Sequence, residues 1–112
     1  MEIKDDIAAV TALSALAQEH RLALFRLLVQ AGPDGLPAGA IAEKLGVPAS
    51  SLSFHLAHLN RAGLVSQTRQ GRSLIYAADY AAMNALLGYL MENCCGGAGC
   101  AAPATQPERK SA

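Results

Sequence analysis

The chain has 112 residues, a formal net charge of zero and 52% hydrophobic residues, which fits one domain with a modest core and excludes two. No apolar run approaches the roughly 18 residues of a membrane-spanning helix. The charged start "MEIKDDIAAV" lacks a signal-peptide pattern, so a cytoplasmic, reducing location with free thiols is expected, and no membrane partner.

In chain order, residues 5–17, "DDIAAVTALSALA", place Ile7, Val10, Leu13 or Ser14, and Leu16 or Ala17 at helical spacing. Residues 19–30, "EHRLALFRLLVQ", form a second helix with Leu22, Phe25, Leu28 and Val29 on one face. "GPDG" stops it. Residues 37–46, "PAGAIAEKLG", give a short third helix between a proline start and a glycine stop. After the turn "VPAS", residues 50–63 form a fourth helix with Leu52, Leu56 and Leu59 inward. Then the period changes. Residues 64–78, "LVSQTRQGRSLIYAA", are rich in β-formers and read as two strands around "RQGR". A last helix over 79–93 has Asp79 as N-cap. Its apolar stripe is Tyr80, Met83, Leu87 and Leu90, with Leu86 alongside. The Gly-, Ala- and Pro-rich tail predicts little order.

The zero net charge hides a pattern. Residues 1–43 carry six acids and three bases; residues 44–78 carry Lys44, Arg61, Arg69 and Arg72 and no acid; residues 79–112 carry three acids and two bases. A basic middle between acidic ends suggests an anion-binding face. A short helix, a tight turn, a second helix and a hairpin form a winged helix-turn-helix. The expected fold class is mainly α with a small β-hairpin, and the fourth helix would enter a major groove. Its candidate DNA contacts are Ser50, Ser51, Ser53, Phe54, His55 and Arg61, with Arg69, Gln70 and Arg72 at the hairpin tip. Taken singly, a serine-rich helix start is an ordinary cap, and "RQGR" an ordinary solvated turn. Their order along an acid-free stretch carries the reading. No nucleophile is paired with a general base and no phosphate-binding loop exists, so neither an enzyme nor a catalytic cofactor is expected.

"LSALAQEHRLALFRLLVQAGPDGL" followed by "IAEKLGVPASSLSFHLAHLNRAGLVSQTRQGRSLIY" resembles the ArsR/SmtB family of metal-responsive bacterial repressors. Leu16-Ala17 before His20-Arg21, Ser53-x-His55-Leu56-x-x-Leu59, Ala62-Gly63-Leu64-Val65 and the Gly71-Arg72 wing carry the likeness, over about residues 7–93. The resemblance implies homodimers that bind operator DNA when metal-free and dimerise through their first and last helices. The expected dimer interface is therefore Ile7, Val10, Tyr80, Met83, Leu87 and Leu90. It supports a contact role for His55. His20 is expected to be structural, near the interface, and His58 a solvated or packing neighbour. One departure is Pro48, where the family often has a serine N-cap, which leaves open whether Ala49 or Ser50 begins the helix.

Two metal sites common in the family are absent. The third helix has no Cys-x-Cys pair, and the last helix has Asp79 but no histidine. That leaves "ENCCGGAGC", which holds all three cysteines: Cys94, Cys95 and Cys100. Three thiolates without histidine make a soft site suited to As(III) or Sb(III) as inducer, whereas zinc sites usually take four ligands. Glycines let the chain turn back so that Cys100 can join the adjacent pair. The resemblance agrees, since some arsenic-responsive members carry thiols at the end of the last helix. On this division, residues 1–93 bind DNA and dimerise, and residues 94–112 hold the cysteines and the tail. Four alternatives stay open: a redox sensor in which Cys95 and Cys100 close a disulfide, a sensor of Cd(II), Pb(II) or Hg(II), a cysteine-bearing tail without function, and a winged-helix protein adaptor.

Overall fold

A computed structural model describes residues 6–97. Five helices and three strands follow in the order α1 (Asp6–Leu16), α2 (Glu19–Ala31), β1 (Leu36–Pro37), α3 (Ala38–Leu45), α4 (Ala49–Arg61), β2 (Val65–Gln70), β3 (Ser73–Ala78) and α5 (Tyr80–Leu90). A 3-10 turn over Cys94–Gly97 follows α5. None of the described helices is long and apolar enough to cross a membrane.

The core is built from Leu24, Phe25 and Leu28 of α2, Ile41 of α3, Leu52, Leu56 and Leu59 of α4, then Leu64 and Val65 at the entry to the hairpin. Leu28, Ile41, Leu59 and Leu64 are fully buried. Helical spacing places the α4 leucines on one face, so the recognition helix is clamped from behind by the residues expected to do so. Leu22 instead points outward, and Leu24 takes its place in the core.

α1 buries a different face from the one that size alone suggests. Ala9, Ala12 and Ala15 are buried, while Ile7, Val10 and Leu13 are exposed. Small residues at a spacing of three let the backbone of α1 approach its neighbours closely, and its larger side chains are left on the outside. The junction to α2 is fastened twice. Gln18 Oε1 accepts from the Arg21 backbone N–H at 2.9 Å, and Arg21 Nε donates to the Ala15 carbonyl at 2.7 Å. Each satisfies a helix-end group that has no partner within its own helix.

The sheet has the order β1-β3-β2, all antiparallel. The third strand is new relative to the sequence reading, which placed Pro37 inside a helix start. Leu36 pairs with Tyr76 and Pro37 with Ile75. The turn before it requires Gly35: at φ 71° it sits where a Cβ would lie 2.4 Å from the Tyr76 carbonyl oxygen. At the wing tip, Gly71 supplies a positive φ of 63° at the first of two loop positions, as a type II′ hairpin demands.

α5 is capped as expected. Asp79 Oδ1 accepts from the Ala82 N–H at 3.0 Å. The helix ends at Leu90, three residues before the expected boundary, because Asn93 and then Cys95 take positive φ values of 58° and 57°. The chain turns there, with the Cys94 N–H donating to the Met91 carbonyl at 2.9 Å.

Candidate nucleic-acid interface

α3 and α4 are joined by a tight turn whose geometry follows from three residues. Gly46 adopts the left-handed conformation at φ 69° and ends α3, its N–H bonding the Ala42 carbonyl. Val47 bonds the same oxygen, and Pro48 then enters α4 as the residue before its first turn, with no side-chain cap. Ala49 therefore begins the helix. Ser50 and Ser51 lie in the first turn, where free backbone N–H groups and the helix dipole favour phosphate.

Ser50, Ser51, Ser53, Phe54 and Arg61 are exposed on α4. The structure brings them onto one outward surface. Arg69, Gln70 and Arg72 are exposed at the tip of the β2–β3 hairpin. Side chains link helix and wing: Asn60 Nδ2 donates to Gln67 Oε1 at 3.3 Å, and Gln67 Nε2 donates to the Tyr76 hydroxyl at 3.3 Å. That chain crosses from α4 to β2 to β3, and fixes the wing relative to the recognition helix.

His55 is placed differently from its neighbours. It is half-buried, and its ring stacks on His20 at the start of α2, with centroids 5.6 Å apart and planes 17° apart. Phe54 meets His55 edge-on at 5.6 Å and His58 edge-on at 6.3 Å. The Nδ1 atoms of His55 and His58 are buried without a hydrogen-bond partner. Burial, first, and then the Arg21 guanidinium lower the pKa of both rings below the usual 6.5; His20 and His58 add to the effect at His55, and Arg61 at His58. Both causes disfavour the protonated form of the two rings. Sequence spacing did not reveal this cluster, because His20 and His55 belong to different helices.

Two further tethers escaped the sequence reading. The Tyr80 hydroxyl donates to the Val29 carbonyl at 2.8 Å and ties α5 to α2. The Tyr89 hydroxyl bonds Asp6 Oδ1 and ties the end of α5 to the start of α1. Of the stripe assigned to a dimer interface, Tyr80 and Met83 are half-buried against the chain's own core, whereas Leu87 and Leu90 are 51% and 54% exposed. Ile7 and Val10 on α1 are 77% and 59% exposed.

At the thiol turn, Cys94 Sγ and Cys95 Sγ lie 3.6 Å apart. Two sulfurs bound at ~2.3 Å to one soft ion stand about 3.3–3.8 Å apart, so this separation would suit a shared ion once both are thiolates. Cys94 is half-buried and Cys95 exposed. Cys95 is disulfide-bonded. The disulfide is a difference from the free thiols expected of a reducing location. Cys100 lies outside the described residues. Among those described, no group of three or more His, Cys, Asp or Glu side chains could hold a metal.

The arrangement can insert a helix N-terminus and a polar face into a groove while two wing arginines touch the backbone alongside. Known proteins agree with that geometry. Residues 16–68 match a helix-turn-helix domain family. The nodulation protein NolR of Rhizobium meliloti is 35% identical over 71% of this chain and 63% of its own length, so the chain spans less than two thirds of that protein. The transcriptional activator HlyU of Vibrio cholerae is 31% identical over 75% of each. The regulator YgaV of Escherichia coli is 30% identical over 78% of this chain and 86% of its own. An ArsR-like transcriptional regulator from Rhodococcus sp. RHA1 superposes with a TM-score of 0.69 at 25% identity, covering 81% of this chain and 82% of that one. A possible transcriptional regulator for arsenical resistance gives 0.63 at 28% identity over 71% and 80%. The homodimeric winged helix-turn-helix domain of a possible ArsR-family regulator from Mycobacterium bovis gives 0.63 at 25% over 85% and 94%. These relatives are regulators and not enzymes. The chain belongs to the ArsR/SmtB-type family of winged helix-turn-helix transcriptional regulators.

Proposed function

We propose that a homodimer of this chain represses transcription by holding a near-palindromic operator, and releases it when As(III) or Sb(III) binds Cys94, Cys95 and Cys100. The observation that supports the ligand reading is the 3.6 Å separation of the Cys94 and Cys95 sulfurs, at the end of a helix whose outer face exposes Leu87 and Leu90; the reading requires the Cys95 disulfide to be reduced first. A soft ion that takes sulfur alone suits those donors better than zinc, which prefers four ligands and often nitrogen. The exposed apolar residues of α1 and α5 support the dimer, and the homodimeric relative has the same fold. Two recognition helices would then occupy successive major grooves with the wings outside.

Cys94 and Cys95 follow α5 and belong neither to α4 nor to the wing, so release on this reading is allosteric. Ligand binding draws the tail against the end of α5 and shifts α5 in the dimer, and with it the spacing of the two α4 helices. A coupling of about 1–3 kcal/mol is usual for such switches and weakens operator binding about 5- to 150-fold. Reciprocity requires the operator to weaken arsenite binding by the same factor.

A second reading is favoured by the disulfide at Cys95: oxidation of Cys95 with Cys100 is the signal, and no metal is involved. Calorimetry with arsenite on the reduced protein separates the two. Tight arsenite binding that is lost in Cys94→Ser supports the metalloid site. No arsenite binding, with operator release by mild oxidant that survives Cys94→Ser, contradicts it in favour of the redox switch. Tighter binding of Cd(II), Pb(II) or Hg(II) than of arsenite under the same conditions also contradicts the assignment of the inducer. An affinity for promoter DNA that does not fall with salt leaves the protein-adaptor reading in its place.

A further inference from the structure

Phe54 is the only Phe or Tyr side chain exposed among the described residues, at 60% of its surface. It lies in the middle of the outward face of α4. Ser50, Phe54, Ala57 and Arg61 fall on one helical stripe, with Ser53 beside them, and all five are exposed. Its near neighbours on that stripe are small, so the phenyl ring is the one bulky projection between the serine-rich first turn and Arg61. Packing does not account for it, since Leu52, Leu56 and Leu59 fill the core from the opposite face. The exposed apolar residues of α1 and α5 belong to other elements. The ring is also oriented: His55 and His58 meet it edge-on, with interplanar angles of 65° and 86°. Holding an aromatic ring in place on a polar helix face has a use if something apolar comes to meet it.

On a major-groove floor the one apolar base-edge group is the C5-methyl of thymine; every other feature is a hydrogen-bond donor or acceptor. Phe54 has no hydrogen-bonding atom, so it contributes nothing to reading guanine, adenine or cytosine edges except by exclusion. The acid-free stretch 44–78 with Lys44, Arg61, Arg69 and Arg72 directs this face towards a polyanion and not towards an apolar protein surface.

We propose that Phe54 is a specificity-determining residue that packs against thymine methyl groups in the major groove and fixes a thymine in each operator half-site. The inference rests on the operator-binding reading above and adds the chemistry of one contact to it. Burial of a methyl against the ring accounts for about fourfold in affinity per half-site, and about fifteenfold for a dimer on two.

The test replaces thymines by uracil, one symmetric pair at a time, in a duplex from the protein's own promoter. Uracil keeps the pairing and removes only the methyl. Fluorescence anisotropy then compares wild type, Phe54→Ala and Phe54→Leu, each first shown by circular dichroism and thermal unfolding to be folded. The expected result is one pair of positions at which uracil weakens wild type about fifteenfold, has no effect on Phe54→Ala, and weakens Phe54→Leu by an intermediate factor. Wild type that binds every uracil duplex as tightly as the thymine duplex overturns the proposal and leaves operator binding standing. A uracil effect of the same size in wild type and Phe54→Ala also overturns it, because the methyl is then read by another group or through duplex shape. Failure of wild type to bind either duplex overturns operator binding and this contact together.

Discussion

Leu56 and His55 are neighbours on α4 with opposite surroundings. Leu56 is 2% exposed in the core, and Leu56→Ala is expected to cost about 2–5 kcal/mol in urea unfolding, from lost transfer energy and the cavity left behind. Asp79→Ala removes an N-cap bond and is expected to cost about 1 kcal/mol. His55 and His58 make stability depend on pH. Their pKa values are lowered in the folded chain, by burial first and Arg21 next. The unfolded chain therefore binds more protons as pH falls below the ordinary value of 6.5. Their contribution is fully present above that value and is lost as pH falls through the lowered folded values. The urea midpoint should drop from about pH 7 to about pH 5, and a His55→Gln/His58→Gln variant should flatten that part of the profile. A steep drop unchanged in the double variant would assign it to other groups. At this scale the α4 leucines were legible in the sequence, because a helical period is local information. The contact between His20 and His55 was not legible, because it depends on how α2 crosses α4.

The hairpin was readable as an element, since β-branched and aromatic residues flank a glycine turn. Its third strand was not. A two-residue strand has no period, and Pro37 reads equally well as a helix start. α5 was legible at its beginning, where Asp79 is a local signal. Its end was not, because Asn93 and Cys95 turn the chain through positive φ values that non-glycine residues seldom adopt. The face that α1 packs on its own chain was not legible: apolar spacing marked Ile7, Val10 and Leu13, which stay exposed, whereas Ala9, Ala12 and Ala15 are buried. The wing carries its own prediction. Arg69→Ala and Arg72→Ala should each weaken operator binding across all sequences and lower the salt slope by about one. A loss confined to particular base substitutions would mean that these arginines read bases and not phosphate.

Across the whole molecule, two surfaces on different elements have to be coupled: the outward face of α4 with its wing, and the thiol turn beyond α5. Tyr89 bonded to Asp6 and Tyr80 bonded to Val29 tie α5 to the rest of the chain, so a shift of α5 would be felt at both α1 and α2. The proposed dimer makes that shift matter. Leu87→Glu places a charge on the exposed face of α5 and should yield a folded monomer by sedimentation equilibrium, with operator binding weakened in parallel. A variant that stays dimeric and binds normally would move the interface elsewhere. Family membership followed from the ordered motifs of residues 7–93, whereas the inducer is a matter of three sulfurs, one of them outside the described residues. The most direct measurement is therefore fluorescence anisotropy on a promoter duplex in reducing buffer, titrated with arsenite, for wild type and Cys95→Ser side by side. Arsenite is expected to release the wild type and to leave Cys95→Ser bound. Both proteins remaining bound, or both being released alike, would contradict a thiol-ligated metalloid switch.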